Sequence, residues 1–243
     1  MFDYGRGSFL KRVALSFLEI IFPRFCVTCS REGHYICEEC ALFISDNIPF
    51  CPSCGRASYF GKKHKRCKGN LDGIIALWDN DGVIKKAIEI IKERGVFTIV
   101  DELIGFFVFT IENDQERFSS FLKFLLDEET VIIPIPKDSR RNAKRGFDLS
   151  SLIADKIAFL ADKKKKSFLK RVKATQSQSN LNKRERVDNI KGAFVFSQTK
   201  IKKVVLIDDL WSSGSTMNEC ARLLKENGVK EVWGFVLTRD RNC

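Results

Sequence analysis

Apolar positions along this chain change period several times, and the changes outline the elements. SFLKRVALSFLEIIF (residues 8–22) puts Phe9, Val13, Phe17, Ile20 and Ile21 at steps of three and four, which predicts a short amphipathic helix. Residues 72–78 (DGIIALW) read as a strand. VIKKAIEIIKER (83–94) sets Val83, Ala87, Ile90 and Ile91 on one helical face. A second helix follows over 96–112, where Phe and Val richness keeps a strand open. TVIIPIP (130–136) is a continuous apolar run, as for a strand covered on both faces. A helix from about Asp148 to Leu160 turns Leu149, Leu152, Ile153 and Ile157 inward, whereas 163–192 is polar and basic without clear period. AFVF (193–196) is a short strand, and KVVLIDD (203–209) is a buried strand ending in acid. STMNECARLLKENG (215–228) is a helix closed by Gly228, and EVWGFVLT (231–238) is the last strand. Strands alternating with helices predict an α/β fold, a mostly parallel sheet flanked by helices, with ligands beyond the carboxyl ends of the strands.

Residues 26–70 break this alternation. They hold seven of the nine cysteines: the C-x2-C pairs Cys26/Cys29, Cys37/Cys40 and Cys51/Cys54, then Cys67 with His64 three residues before it. Two intervening residues let both sulfurs turn toward one ion, and zinc takes four such ligands in a tetrahedron. With no cleavable leader in the N-terminal helix, which Glu19 interrupts, a disulfide framework is the weaker alternative. Cys26, Cys29, Cys37 and Cys40 make the simplest first site, and Cys51, Cys54, Cys67 and His64 a second. An interleaved pairing of the first C-x2-C with the third stays open. With every ligand from protein the zinc is structural. Cys220 lies in a helical pattern and reads as core. The chain thus divides into an N-terminal helix (1–25), a double zinc-knuckle or ribbon module (26–70) and an α/β domain (71–243).

Charge adds a partner class. The chain carries net charge +11, and residues 137–203 alone hold 20 Lys/Arg against 6 Asp/Glu. A region this positive attracts polyanions such as pyrophosphate, nucleotides or a nucleic-acid backbone. No run approaches the ~20 apolar residues a membrane span needs, so a transmembrane protein is not expected. Cytoplasm is the default location, with a membrane-peripheral role for the first helix as the alternative.

The chemistry concentrates in VVLIDDLWSSGST (204–216). A buried strand runs into Asp208 and Asp209, and a hydroxyl-rich loop with one glycine leads into a helix. The loop gathers N–H groups and hydroxyls at the positive end of a helix dipole, which suits a phosphate monoester. The carboxylates would repel phosphate but accept hydrogen bonds from ribose hydroxyls. An ordinary strand with an N-cap at Ser215 would explain the hydroxyls, not the paired acids.

This stretch resembles the phosphoribosyl-pyrophosphate (PRPP) motif of type I phosphoribosyltransferases. The resemblance implies that Asp208 and Asp209 hold the ribose and that Ser212, Ser213, Gly214, Ser215 and Thr216 cradle the 5-phosphate. Trp211 stands where a small or β-branched residue is usual and would narrow the site. Further features, in order, are similar to one branch, the ComF (competence protein FC-like) family: Phe22-Pro23 before the cysteine pairs; Ile132-Ile133-Pro134-Ile135-Pro136; a basic loop with Arg145-Gly146-Phe147; Arg171–Gln178; Arg184 and Arg186; Asn189 and Gly192-Ala193-Phe194. The family's module often ends in C-x2-C; here Asn70 follows Cys67, and His64 is the substitute ligand. On this resemblance Arg145 and Gly146 belong to a pyrophosphate loop whose cations include Lys137, Arg140 and Arg141. Gln176, Gln178, Arg184 and Arg186 are the contacts of a flap or a nucleic-acid surface. Mg²⁺ would accompany PRPP, bridging its ribose hydroxyls and pyrophosphate. The implied chemistry is phosphoribosyl (glycosyl) transfer to an acceptor that the residues do not name. ComF-like proteins are associated with natural transformation, so single-stranded DNA and other competence-machinery proteins are the expected partners. The alternative is a non-catalytic protein that uses the same fold and zinc module to handle single-stranded DNA.

Overall fold

The computed structural model describes residues 23–137, 146–173, 183–197 and 200–240. The expected N-terminal helix over 8–22 lies outside them. So do Arg140, Arg141, Arg145, Gln176 and Gln178, and the side chains of Arg184 and Arg186.

Four strands form one parallel sheet in the order β1 (Gly73–Asp79), β6 (Glu231–Arg239), β5 (Lys203–Trp211), β2 (Thr130–Pro134). The two central strands are buried almost throughout, so both faces must be covered. Side-chain alternation divides the core. Val205, Ile207, Phe235 and Leu237 join one apolar cluster with helices α2 (Gly82–Arg94), α3 (Thr98–Asn113), α4 (Gln115–Leu125) and α5 (Leu149–Leu160). Val204, Leu206, Val232 and Val236 face the other side, against Met217, Cys220, Ala221 and Leu224 of α7 (Ser215–Glu226). Cys220 is fully buried and its thiol is pushed well above its ordinary pKa by that burial, so it is core.

The second helix expected over 96–112 is present as Thr98–Asn113, and the strand alternative falls away. Two expectations change. Helix α4 was not expected: Asp114 caps it by accepting from the Arg117 N–H, and Phe118, Phe121 and Leu125 form its inward stripe. The stretch 163–192 contains β3 (Leu169–Arg171) and helix α6 (Lys183–Ile190); β3 pairs antiparallel with β4 (Phe194–Phe196).

The cysteine region contains one knuckle turn used twice. Cys26 N–H donates to the Arg31 carbonyl (2.8 Å) and Ser30 N–H to that of Cys26 (2.9 Å). In the second copy Cys51 N–H donates to Arg56 and Gly55 N–H to Cys51, both at 2.9 Å. Ser30 and Gly55 occupy the same left-handed position, with φ of 61° and 72°. The one-turn helix α1 (Glu38–Ala41) brings Cys37 and Cys40 to the first copy. Donor atoms of Cys26, Cys29, Cys37 and Cys40 all lie within 4.8 Å of one another, as do those of Cys51, Cys54, His64 and Cys67. The interleaved alternative is thereby excluded, and His64 completes the second set.

These spacings suit zinc, since a tetrahedron with ~2.3 Å arms has edges of about 3.8 Å. Cys29 Sγ lies 3.5 Å from Cys37 Sγ, and His64 Nδ1 lies 3.4 Å from Cys54 Sγ and 3.9 Å from Cys67 Sγ. His64 Nε2 is 3.1 Å from the Ala57 carbonyl, which places the proton on Nε2 and leaves the Nδ1 lone pair for metal.

Both knuckles are fastened to the α/β body. Glu102 of α3 accepts the Tyr35 and Ile36 N–H groups at 3.1 and 3.0 Å, and Arg239 at the end of β6 donates to the Gly55 carbonyl at 3.0 Å. Elemental analysis of purified protein is expected to give two zinc ions per chain. His64→Ala should retain one tightly held zinc and lower the melting temperature; full retention of two would contradict the ligand assignment.

Candidate functional site

Asp208 and Asp209 do not end their strand. β5 continues to Trp211, so the acid pair sits inside it, at 5% and 3% exposure, which corrects the expectation of a strand stopping at the acids. Burying two adjacent carboxylates demands cations. Lys137, three residues past neighbouring β2, supplies the first: its Nζ bonds Asp208 Oδ1 and lies 2.7 Å from Asp209 Oδ1. Lys92, near the end of α2, pairs with Asp209 Oδ2. Asp208 Oδ1 also accepts from Ser150 Oγ (2.8 Å) and the Asp209 N–H (2.9 Å). The four charges balance.

The two acids are not equivalent. Burial pushes Asp208 up to about 6, with Lys137 pulling it down and Asp209 adding to the rise. Burial opposes ionisation of Asp209 too, but Lys137 and Lys92 outweigh it and hold this carboxyl well below the usual range. Burial would depress Lys137; Asp208 and Asp209 overcome this and raise it above an ordinary lysine.

The loop after β5 is shaped by one contact. Gly214 has φ of 71°, and a Cβ there would stand 2.3 Å from Trp211 Cζ2. Glycine is therefore required twice, for its conformation and for its clearance. Gly214, not Ser215, occupies the N-cap position of α7 and makes no side-chain cap. Ser213 Oγ lies 2.8 Å from Ser215 Oγ and 3.4 Å from the Ser215 N–H, while Ser212, Ser213 and Thr216 are partly exposed. Hydroxyls and the first N–H groups of α7 converge here, an arrangement that accepts an anion.

Trp211 narrows nothing from outside. It is buried beneath the loop and meets Phe50 edge-on at 5.6 Å. Phe50 directly precedes the zinc ligand Cys51, and the Arg239 guanidinium stacks 3.7 Å from its ring centre. A packed line thus runs from the second metal cluster through Phe50 and Trp211 to Gly214.

Gly146 has φ of 75° and open space where a Cβ would stand, so its need is conformational, not close approach. Sequence reasoning read Lys137 as a pyrophosphate cation and missed Lys92, Ser150 and Phe50 as parts of this site. Only the topology brings those three here, and no local pattern marks them.

Comparison with known proteins accords with this geometry. The phosphoribosyl transferase domain family matches residues 115–243, and the double zinc ribbon domain family matches residues 17–69. The chain is 34% identical over 229 residues to the DNA utilization protein YhgH of Escherichia coli O6:H1, covering 89% of this chain and 97% of that protein. It is 29% identical over 227 residues to Competence protein F of Haemophilus influenzae (86% and 95%). It is 27% identical over 247 residues to Competence protein ComFC of Streptococcus pneumoniae (96% and 97%). With both domains matched and similarity running nearly end to end, the chain belongs to the ComF family of phosphoribosyl transferase-domain proteins that carry a double zinc ribbon.

Proposed function

We propose that this protein binds PRPP at the end of β5 and acts in the handling of single-stranded DNA during DNA uptake. The observation that carries the reading is the buried pair Asp208 and Asp209, followed at once by the glycine-pivoted hydroxyl loop at a helix N-terminus. A ribose 5-phosphate has two adjacent hydroxyls and one terminal dianion, and the site offers acceptors and donors in that order. The DNA half of the reading draws on relatives named for competence and DNA utilization, and on the +14 of residues 137–203. Competence-machinery proteins are the partners this implies. No helix among the described residues is long and apolar enough to cross a membrane, and we place the action in the cytoplasm.

The ion pairs set the order of events. Lys137 occupies the acid pair in this structure and opens the basic segment 137–147. A diphosphate drawn to that segment competes for its ammonium, and ribose hydroxyls then take its place on the carboxylates. The acid pair is a poor cage for a divalent cation, because Lys137, Lys92, Ser150 and a backbone N–H already claim its oxygens. Magnesium would therefore travel on the ligand's own oxygens. Both histidines, His34 and His64, lie in the ribbons, so no imidazole serves as general base beside Asp208. Ligand binding is accordingly the function proposed, with group transfer to an acceptor left to whatever base an acceptor brings.

PRPP with Mg²⁺ is expected to raise the melting temperature by several degrees, and Asp208→Asn with Asp209→Asn to abolish the shift. An unshifted parent protein would sink the reading. Phe50→Ala, which removes the support under Trp211, should weaken PRPP binding roughly tenfold by calorimetry while both zinc ions stay bound; unchanged affinity would show the loop to be self-supporting. Asp208 titrates near 6 when folded and near 3.8 otherwise, so its contribution to stability is present below about pH 3.8 and lost as pH rises through 6. Asp208→Asn should therefore gain stability relative to the parent as pH rises between about 4 and 7, read by urea unfolding across that range. Parallel stability curves would contradict the assignment.

A further inference from the structure

The two knuckles share a backbone turn but not a charge. Residues 23–46, around the first cluster, carry Arg24 and Arg31 against Glu32, Glu38, Glu39 and Asp46. Residues 47–71, around the second, contain six cations (Arg56, Lys62, Lys63, Lys65, Arg66, Lys68) and no acid. Each cation lies within two residues of a metal-ligand position, so all six surround one cluster whose donor atoms span 4.8 Å. Lys63 is used internally, bonding the Gly69 carbonyl at 2.8 Å and Asp72. Lys62, Lys65, Arg66 and Lys68 are exposed and make no ion pair among the described residues.

An aromatic pair directly precedes this basic stretch in the chain. Tyr59 is 81% exposed and meets Phe60 edge-on at 5.0 Å. Phe60 itself adopts φ 52° and ψ 28°, a left-handed conformation that is a marked outlier for a bulky residue. What enforces it is the neighbour: Gly61 is buried, and a Cβ there would stand 2.0 Å from the Ile74 carbonyl of β1. The turn is therefore wedged against the sheet, and Ser58 Oγ closes it on the Lys62 carbonyl. Tyr59 is thus presented to solvent on a rigid base. Beside it opens a groove of about 500 Å³, lined by Ile48, Pro49 and Phe60 and, from the start of α4, by Asp114, Glu116 and Arg117, the last already paired with Asp46.

We infer that the second zinc knuckle is a single-stranded nucleic-acid site, with a base stacked on Tyr59 and the backbone tracking Lys62, Lys65, Arg66 and Lys68. This rests on the reading that the protein handles single-stranded DNA and assigns the contact to residues other than those of the phosphoribosyl site. Unpaired cations give sequence-independent attraction to phosphates, and a fixed aromatic face binds any base. Asp114 and Glu116 orient the strand: they repel phosphate and accept from exocyclic amino groups, so bases turn toward the groove and phosphates away from it. A folded duplex would offer no base to Tyr59, which makes the site selective for unpaired strands.

The test uses the full-length zinc-loaded protein and a fluorescent mixed-sequence 20-mer. Single-stranded binding is expected to exceed duplex binding, with log affinity falling by about 3 per decade of salt. Tyr59→Ala should weaken single-strand binding about tenfold at fixed salt. Lys65→Ser with Arg66→Ser and Lys68→Ser should lower the salt slope by about 2. Both variants should keep two zinc ions and the PRPP-induced thermal shift, which separates this site from the phosphoribosyl site. Photocrosslinking of an iodouracil-substituted strand to the unmodified protein, with peptide mapping, should label residues 55–70 and covers any variant that fails to fold. Binding that survives both substitutions, or crosslinks confined to 137–203, would overturn the location while leaving DNA handling intact. An unchanged affinity in Tyr59→Ala alone would make the patch a general polyanion surface, such as one for an acidic protein segment, and would overturn the nucleic-acid assignment. Absence of any single-strand binding would overturn the inference together with the DNA half of the proposed function, whatever PRPP does.

Discussion

Four buried charges organise this molecule. Asp208 and Asp209 stand side by side in a central strand, and neither could remain ionised in that interior alone, since the desolvation cost is several kcal/mol per ion. Lys137 and Lys92 make the burial tolerable, and in doing so they tie three separate elements together: the segment after β2, the end of α2, and β5. The site is therefore not a rigid notch waiting for a sugar. It is an internal salt cluster, and any ligand that reaches the carboxylates has first to displace its cations. Lys92 lies outside residues 115–243, the part that the phosphoribosyl transferase family matches, so the electrostatics of the site are completed by the portion of the chain that precedes it.

Much of the architecture was legible because local pattern and global fold agree here. The continuous apolar runs of β2 and β5 could only be strands buried on both faces, and C-x2-C spacing could only be satisfied by metal or disulfide. What escaped has a common cause. Helix α4 was passed over although Asp114, Phe118, Phe121 and Leu125 carry a cap and a stripe, because its many phenylalanines dilute the helical signal. The true end of β5 was hidden because two acids look like a strand terminus until lysines from elsewhere neutralise them. Lys92 and Ser150 reach the site by topology alone, at separations that no periodicity encodes.

The duplicated knuckle illustrates how one local solution serves two ends. In both copies a backbone turn holds two cysteines, with a left-handed residue at its corner. The first is tied to the α/β body by the Glu102 carboxylate, which receives two of its N–H groups. The second is fastened through Phe50 and Arg239 to the strand ends that carry the Ser212–Thr216 loop. Metal binding at the second copy is consequently linked to the loop through the Phe50–Trp211 ring contact and through Arg239, which stacks on Phe50 and donates to the Gly55 carbonyl.

The contact between Gly214 and Trp211 has a consequence for how this sequence can drift. The indole fills the space that any side chain at position 214 would need, so the two positions form a lock-and-key couple only three residues apart. A smaller residue at 211 would relax the demand on 214 while hollowing out the floor beneath the loop; a larger one at 214 is inadmissible while the tryptophan stays. Substitutions at these sites should therefore be inherited jointly, and a descendant that loses the tryptophan is the one in which the glycine becomes negotiable on steric grounds, though its backbone angle would still favour it.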